Sequence, residues 1–100
     1  MRDDYENIVL TEEFWRSVAS LVPPLSDDDV TGIADAIDYL DEHPTDLANR
    51  LHLLDRDLTG RWSLTPLPPA DPCLRVLLHP ESSRSGGYWR VEAVTWHYHK

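Results

Sequence analysis

The chain has 100 residues, enough for one domain, residues 1–100, built around a single core. Its 41% hydrophobic content is that of a globular protein, its one cysteine (Cys73) excludes an internal disulfide, and no apolar run reaches the ~20 residues of a bilayer-spanning helix. The net charge of −9 is unevenly spread: residues 1–46 hold two arginines against thirteen acids, whereas residues 47–100 hold six arginines, one lysine and four of the five histidines against five acids. Only the second half therefore has the charge to face a polyanion. The single thiol suits a reducing compartment, and MRDDYENIVL lacks the basic-then-apolar order of a leader, so the expected location is cytoplasmic, with no membrane partner.

Residues 1–6 are polar and expected to fray, and residues 7–10 (NIVL) form a short first strand. Thr11 reads as an N-cap, with Glu12 and Glu13 in the first turn, where carboxylates favour the helix dipole. Phe14, Trp15, Val18, Leu21 and Val22 recur at helical spacing and predict an amphipathic helix over 12–22, stopped by Pro23 and Pro24. Ser26 caps a second helix, with Asp29 placed for a capping box. Val30, Ile33, Ala34, Ile37 and Leu40 draw its apolar stripe. The Asp27-Asp28-Asp29 run is not a calcium loop, because neither the glycine at the sixth position nor the glutamate at the twelfth follows.

His43 and Pro44 end that helix. Thr45 and Asp46 cap a short third turn in which Leu47, Leu51 and Leu54 share a face. Residues 55–60 read as a loop, and 61–65 (RWSLT) alternate as a strand. Prolines make 66–72 a stiff connection rather than a central strand. Two runs rich in β-branched, aliphatic and aromatic residues, CLRVLLHP and YWRVEAVTWHYH, then flank the turn ESSRSGG as a long hairpin over 73–99. The expected fold is α+β: a short N-terminal strand, two helices plus the short third turn, then a three-stranded antiparallel meander with the helices packed on one sheet face.

A register with His79 opposite Tyr88 pairs Leu77 with Arg90 and Arg75 with Glu92. Strict alternation then gives a core face of Trp62, Leu64, Leu74, Val76, Leu78, Trp89, Val91 and Ala93. The other face receives Arg61, Thr65, Arg75, Leu77, His79, Tyr88, Arg90, Val94, Trp96 and Tyr98. Guanidinium groups among aromatic rings are the chemistry that holds single-stranded RNA, on phosphates and by stacking. In this register His97 and His99 point to the core side, unless a bulge between Val94 and Trp96 turns His97 over.

The succession IVLTEEFW, DYLDEHP, RLHLLDRDLTGRWSL, CLRVLLHP and GYWRVEAVTWHYH resembles the RelE/ParE superfamily of type II toxin–antitoxin toxins over nearly the whole chain. The resemblance implies a ribosome-dependent messenger-RNA endoribonuclease that needs no metal or other cofactor and is held by a cognate antitoxin protein. In such a reaction a base takes the 2′-hydroxyl proton, that oxygen attacks the adjacent phosphate, and an acid protonates the leaving 5′-oxygen. Arg75 matches the third-strand arginine that contacts the scissile phosphate, Arg61 a basic position at the start of the second strand, and His97, Tyr98 and His99 the C-terminal acid/base positions. Arg90, Trp96 and Tyr88 are the substrate-binding candidates. The superfamily also includes ParE-like members without catalysis that act on a protein target.

Other chemistries are weaker on the residues. His97-x-His99 has a spacing compatible with a shared zinc, but no third ligand among His79, His52, Glu81 and Cys73 is placed by spacing, so no metal site is expected. There is no glycine-rich phosphate loop and no G-x-S-x-G elbow. A different class is an acidic binding protein of immunity or inhibitor type. It would present Asp27, Asp28, Asp29, Asp35, Asp38, Asp41, Glu42 and Asp46 to a basic protein target.

Overall fold

A computed structural model describes residues 4–46, 53–57, 59–66, 73–83 and 86–97. Among these the order is β1 (Ile8–Leu10), α1 (Glu12–Ser20), α2 (Asp27–Glu42), β2 (Leu53–Arg56), β3 (Trp62–Thr65), β4 (Cys73–Ser83) and β5 (Gly86–His97). The chain is α+β, with two helices and a mixed five-stranded sheet of order β1-β5-β4-β3-β2. The sheet is thus wider than the expected three strands. β1 adds to β5 in parallel, and β2 adds to β3 antiparallel at the opposite edge.

The helices begin where their caps predict. The Thr11 hydroxyl accepts from the Phe14 N–H at 3.2 Å, and the Ser26 hydroxyl accepts from the Asp29 N–H at 3.1 Å while Asp29 returns the bond to the Ser26 N–H at 2.9 Å. α1 stops at Ser20, short of the expected 12–22. Residues 4–6 do not all stand apart: Tyr5 packs against the core and its hydroxyl donates to Asp38 at 2.6 Å. Asp41 is buried at the end of α2, where its carboxylate accepts from the Asn7 N–H at 2.7 Å. This bond ties the start of β1 to α2.

β2 corrects the expected loop over 55–60. β2 and β3 form a hairpin, at whose end the Asp57 carboxylate accepts from the N–H groups of Thr59 and Arg61, each at 2.9 Å, and from the Thr59 hydroxyl at 2.6 Å. Gly60 supplies the left-handed φ of 89° that the turn requires. Leu54, assigned to a third helical turn, lies instead in β2 opposite Leu64. The rest of that turn, including Leu47 and Leu51, and the prolines of 67–72 lie outside the described residues.

The β4–β5 hairpin is present with a different register. His79 pairs with Arg90 rather than Tyr88, and Leu78 with Val91. Between Leu78 and Leu77 the partner jumps from Val91 to Ala93, so Glu92 is the extra residue of a β-bulge. Beyond it Val76 faces Val94, Arg75 faces Thr95, Leu74 faces Trp96 and Cys73 faces His97. The bulge falls where β1 runs out and α1 takes over the β5 edge. Thr11 donates both its N–H (3.2 Å) and its hydroxyl (2.9 Å) to the Val91 carbonyl, and Ser17 accepts from the Val94 N–H at 2.9 Å.

The bulge reverses the faces of the second half of β5. Val94, expected outside, is 1% exposed, and Trp96 packs on the core edge with its Nε1 donating to the Pro23 carbonyl at 2.8 Å. Ala93, expected inside, moves to the outer face. The core accordingly joins Phe14, Ile33, Ala36, Ile37 and Leu40 of the helices to Ile8, Leu64, Leu74, Val76, Leu78, Trp89, Val91 and Val94 of the sheet.

Candidate active site

With its inner side chains given to the helices, the sheet turns Arg61, Ser63, Thr65, Arg75, Leu77, His79, Glu81, Tyr88, Arg90, Glu92, Ala93, Thr95 and His97 to its other face. The pairing of Trp62 with Leu78 brings Arg61, one residue before Trp62, beside His79. His79 in turn faces Arg90, and Glu81 faces Tyr88. One end of the face therefore gathers two arginines, a histidine, two glutamates and a tyrosine.

These groups form one chain of contacts. An Arg61 Nη donates to Glu92 Oε2 at 3.2 Å, His79 Nδ1 lies 2.5 Å from Glu92 Oε1, His79 Nε2 lies 3.2 Å from Glu81 Oε1, and the Tyr88 hydroxyl donates to Glu81 Oε2 at 2.5 Å. The imidazole can serve both glutamates at once only when both ring nitrogens carry protons. Beside this chain a cavity of about 420 Å³ is lined by Thr11, Glu13, Arg61, Arg90, Glu92 and Ala93. Glu13, in the first turn of α1, has its pKa lowered chiefly by its own backbone N–H, with further lowering from Thr11, Arg16 and Arg90.

Arg75 stands apart from this cluster. It is four residues from His79 along β4, about 13 Å at ~3.3 Å per residue. Its ladder partner is Thr95, and His97 is its diagonal neighbour on the same face. Glu92, its expected ion-pair partner, is held by Arg61 and His79 instead. The Nε of Arg75 is buried and has no hydrogen-bond partner among the described residues.

The expected site residues thus separate. Arg61, Arg90 and Tyr88 lie together at one end of the outer face, and Arg75 and His97 are diagonal neighbours further along it. Trp96 does not reach that face, because the bulge turns it toward α1 and Pro23. Tyr98 and His99 lie outside the described residues. The sequence places Glu92 opposite Arg75 as an ion-pair partner and His79 on the open face, but gives neither a part in the site, and it weighs Glu81 only as a potential metal ligand. The signal for the last two was available, since His79-x-Glu81 on one strand must share a face. No cluster of three or more His, Cys, Asp or Glu suited to a metal ion occurs among the described residues.

The Tyr88 hydroxyl is the first cause of a lowered Glu81 pKa, followed by His79 and Arg90, and Glu81 in turn raises the Tyr88 pKa. The lowered carboxyl contributes stability above its unfolded value, lost as pH falls through the folded one. The raised phenol contributes stability below its unfolded value, lost as pH rises through the folded one. Tyr88→Phe should therefore move the Glu81 titration upward toward 4.5 and abolish the loss of stability that sets in as pH rises above 10. Carbon-detected NMR titration of the Glu81 carboxyl checks this; an unmoved titration would mean the bond does not form in solution. No protein-family model, curated protein or solved structure matches the chain.

Proposed function

We propose that the chain is a toxin of the RelE/ParE type that cleaves messenger RNA on the ribosome without a metal, in the cytoplasm, and is neutralised by a cognate antitoxin protein. The observation that carries this reading is the bulge at Glu92, which places His97 on the face of Arg75. Without it, the imidazole and the guanidinium that the resemblance pairs would lie on opposite sides of the sheet. Arg61 and Arg90 share that face, so three arginines stand on it together with Glu81 and Glu92 and, at its edge, Glu13 of α1. In this reading Arg75 offsets charge building on the phosphate oxygens, usually a large share of such catalysis, and His97 moves a proton at an oxygen of the scissile bond.

The acidic-binder alternative loses half of its surface to internal bonds. Asp29 completes the Ser26 cap, Asp38 accepts from Tyr5, Asp41 from Asn7 and Asp46 from the Tyr39 hydroxyl. These carboxylates are spent on the fold rather than held out to a basic partner.

The test is to incubate purified protein with translating ribosomes in the presence of EDTA and map RNA ends. New 2′,3′-cyclic phosphate ends, together with growth arrest on expression, are expected. Growth arrest with intact RNA would point to a ParE-like action on a protein. Harmless expression with recovery of a basic protein partner would favour the binding role.

A further inference from the structure

The cavity beside the Arg61–Glu92–His79 chain combines two kinds of group that a simple anion site does not need together. Arg61 and Arg90 offer guanidinium donors, and Glu13 and Glu92 offer carboxylate acceptors, around one space of about 420 Å³ with the Ala93 methyl in its lining. Inorganic phosphate would be drawn by the arginines and repelled by the glutamates. A ligand that satisfies both must carry an anion to accept from guanidinium and, a few ångströms away, hydroxyl groups to donate to carboxylate. The volume is at the small-ligand scale, where sites run from about 300 Å³ upward.

The Glu92 carboxylate is built rather than loose. Arg61 holds one oxygen at 3.2 Å and His79 Nδ1 holds the other at 2.5 Å, so the bulge fixes its orientation. Its side chain remains 30% exposed and that of Arg61 45% exposed, which leaves lone pairs and N–H groups for a ligand. A ribose phosphate fits this donor–acceptor set. Its phosphate accepts from Arg61 and Arg90, and its 2′-hydroxyl donates to Glu92. A 2′-deoxyribose phosphate would keep the repulsion from the glutamates and lose the hydroxyl that offsets it.

We infer that the cavity lined by Arg61, Arg90, Glu13 and Glu92 is a ribonucleotide subsite that distinguishes RNA from DNA through the 2′-hydroxyl. On the proposed RNA-cleaving reading, on which its biological substrate rests, it holds one nucleotide of the strand while Arg75 and His97, about 13 Å along the sheet at ~3.3 Å per residue, meet another.

Binding can be tested without cleavage. Wild-type protein is titrated with uridine 3′-monophosphate, its 2′-deoxy analogue and inorganic phosphate, following the guanidinium and imidazole NMR signals. The ribonucleotide should bind about tenfold more tightly than the deoxyribonucleotide, the scale of one lost hydrogen bond to a charged acceptor. It should move the Arg61, Arg90 and His79 signals. Glu92→Gln should erase the discrimination, and Glu13→Gln, which leaves the Arg61–Glu92–His79 contacts intact, should reduce it. Equal affinity for the two nucleotides, tighter binding of inorganic phosphate, shifts confined to Arg75 and His97, or no binding of any ligand would each overturn the subsite. Ribonucleotide preference in a protein that cuts no RNA would uphold the subsite and remove the nuclease reading.

Discussion

Trp89→Ala is expected to remove about 3–5 kcal/mol of stability, a large fraction of the roughly 5–15 kcal/mol that holds an ordinary domain folded. Three separate attachments meet at this residue. Its ring is 3% exposed and meets the Trp62 ring edge-on at a centroid distance of 5.7 Å, binding the β3 side of the sheet to β5. Its indole N–H donates to the Pro44 carbonyl at 2.8 Å, fixing the chain as it leaves α2. Its backbone N–H donates to the Asn7 carbonyl at 2.8 Å, at the start of the parallel β1 pairing.

The first two attachments can be separated by substitution. Trp89→Phe keeps most of the ring contact but leaves the Pro44 carbonyl without its donor, for an expected cost of about 1–2 kcal/mol. Trp89→Ala loses both and opens a cavity. Urea unfolding followed by far-UV circular dichroism, which does not depend on tryptophan emission, reads the difference. The alanine variant's midpoint should fall by more than about 1 M. Val22→Ala, at a side chain 82% exposed, should stay within about 0.5 kcal/mol of wild type and serves as the reference. Coincident midpoints for the alanine and phenylalanine variants would mean that the ring is not packed as described.

The local features of this fold were legible in the sequence because each depends on neighbours along the chain. Thr11 and Ser26 cap the helices they precede, the prolines at 23, 24 and 44 follow the helix ends, and β4 pairs with β5 as a hairpin, with strand pairing continuing to Ser83 and Gly86 through most of the expected turn ESSRSGG. Features set by distant partners were not legible. Leu53–Arg56 becomes a strand because β3 offers it an edge and Asp57 organises the turn between them, neither of which is written in LLDR itself. The bulge at Glu92 has no glycine to announce it. It answers the change of neighbour along β5, from β1 up to Val91 to Thr11 and Ser17 of α1 beyond it.

One residue of register then decided the site. Strict alternation put Trp96 on the open face and His97 on the core, and the bulge exchanges them. Arg61, Arg75, Arg90 and Tyr88 were placed on the correct face because they lie before the bulge or on other strands. The association of Glu92 with Arg61 and His79 could not be read, since the expected register gave Glu92 to Arg75.

Arg75→Met should separate stability from activity. A buried N–H without a partner costs about 1–3 kcal/mol relative to a satisfied one, and the Arg75 Nε is such a group among the described residues. Methionine keeps an unbranched stem on the outer face of β4, between Cys73 and Leu77, and brings no donor to bury, so stability should rise by about 1 kcal/mol or stay unchanged. On the proposed function the same substitution removes the guanidinium at the scissile phosphate, and cleavage should fall by about 10²–10³-fold, the scale of one lost charge-stabilising donor. A group kept at a cost to the fold and needed for chemistry is the expected trade at a functional position. Urea midpoints and RNA-end mapping on the same preparations read both quantities. A variant that is less stable yet cuts RNA at the wild-type rate would make Arg75 a structural residue and move the reaction to the Arg61–Glu92–His79 end of the face.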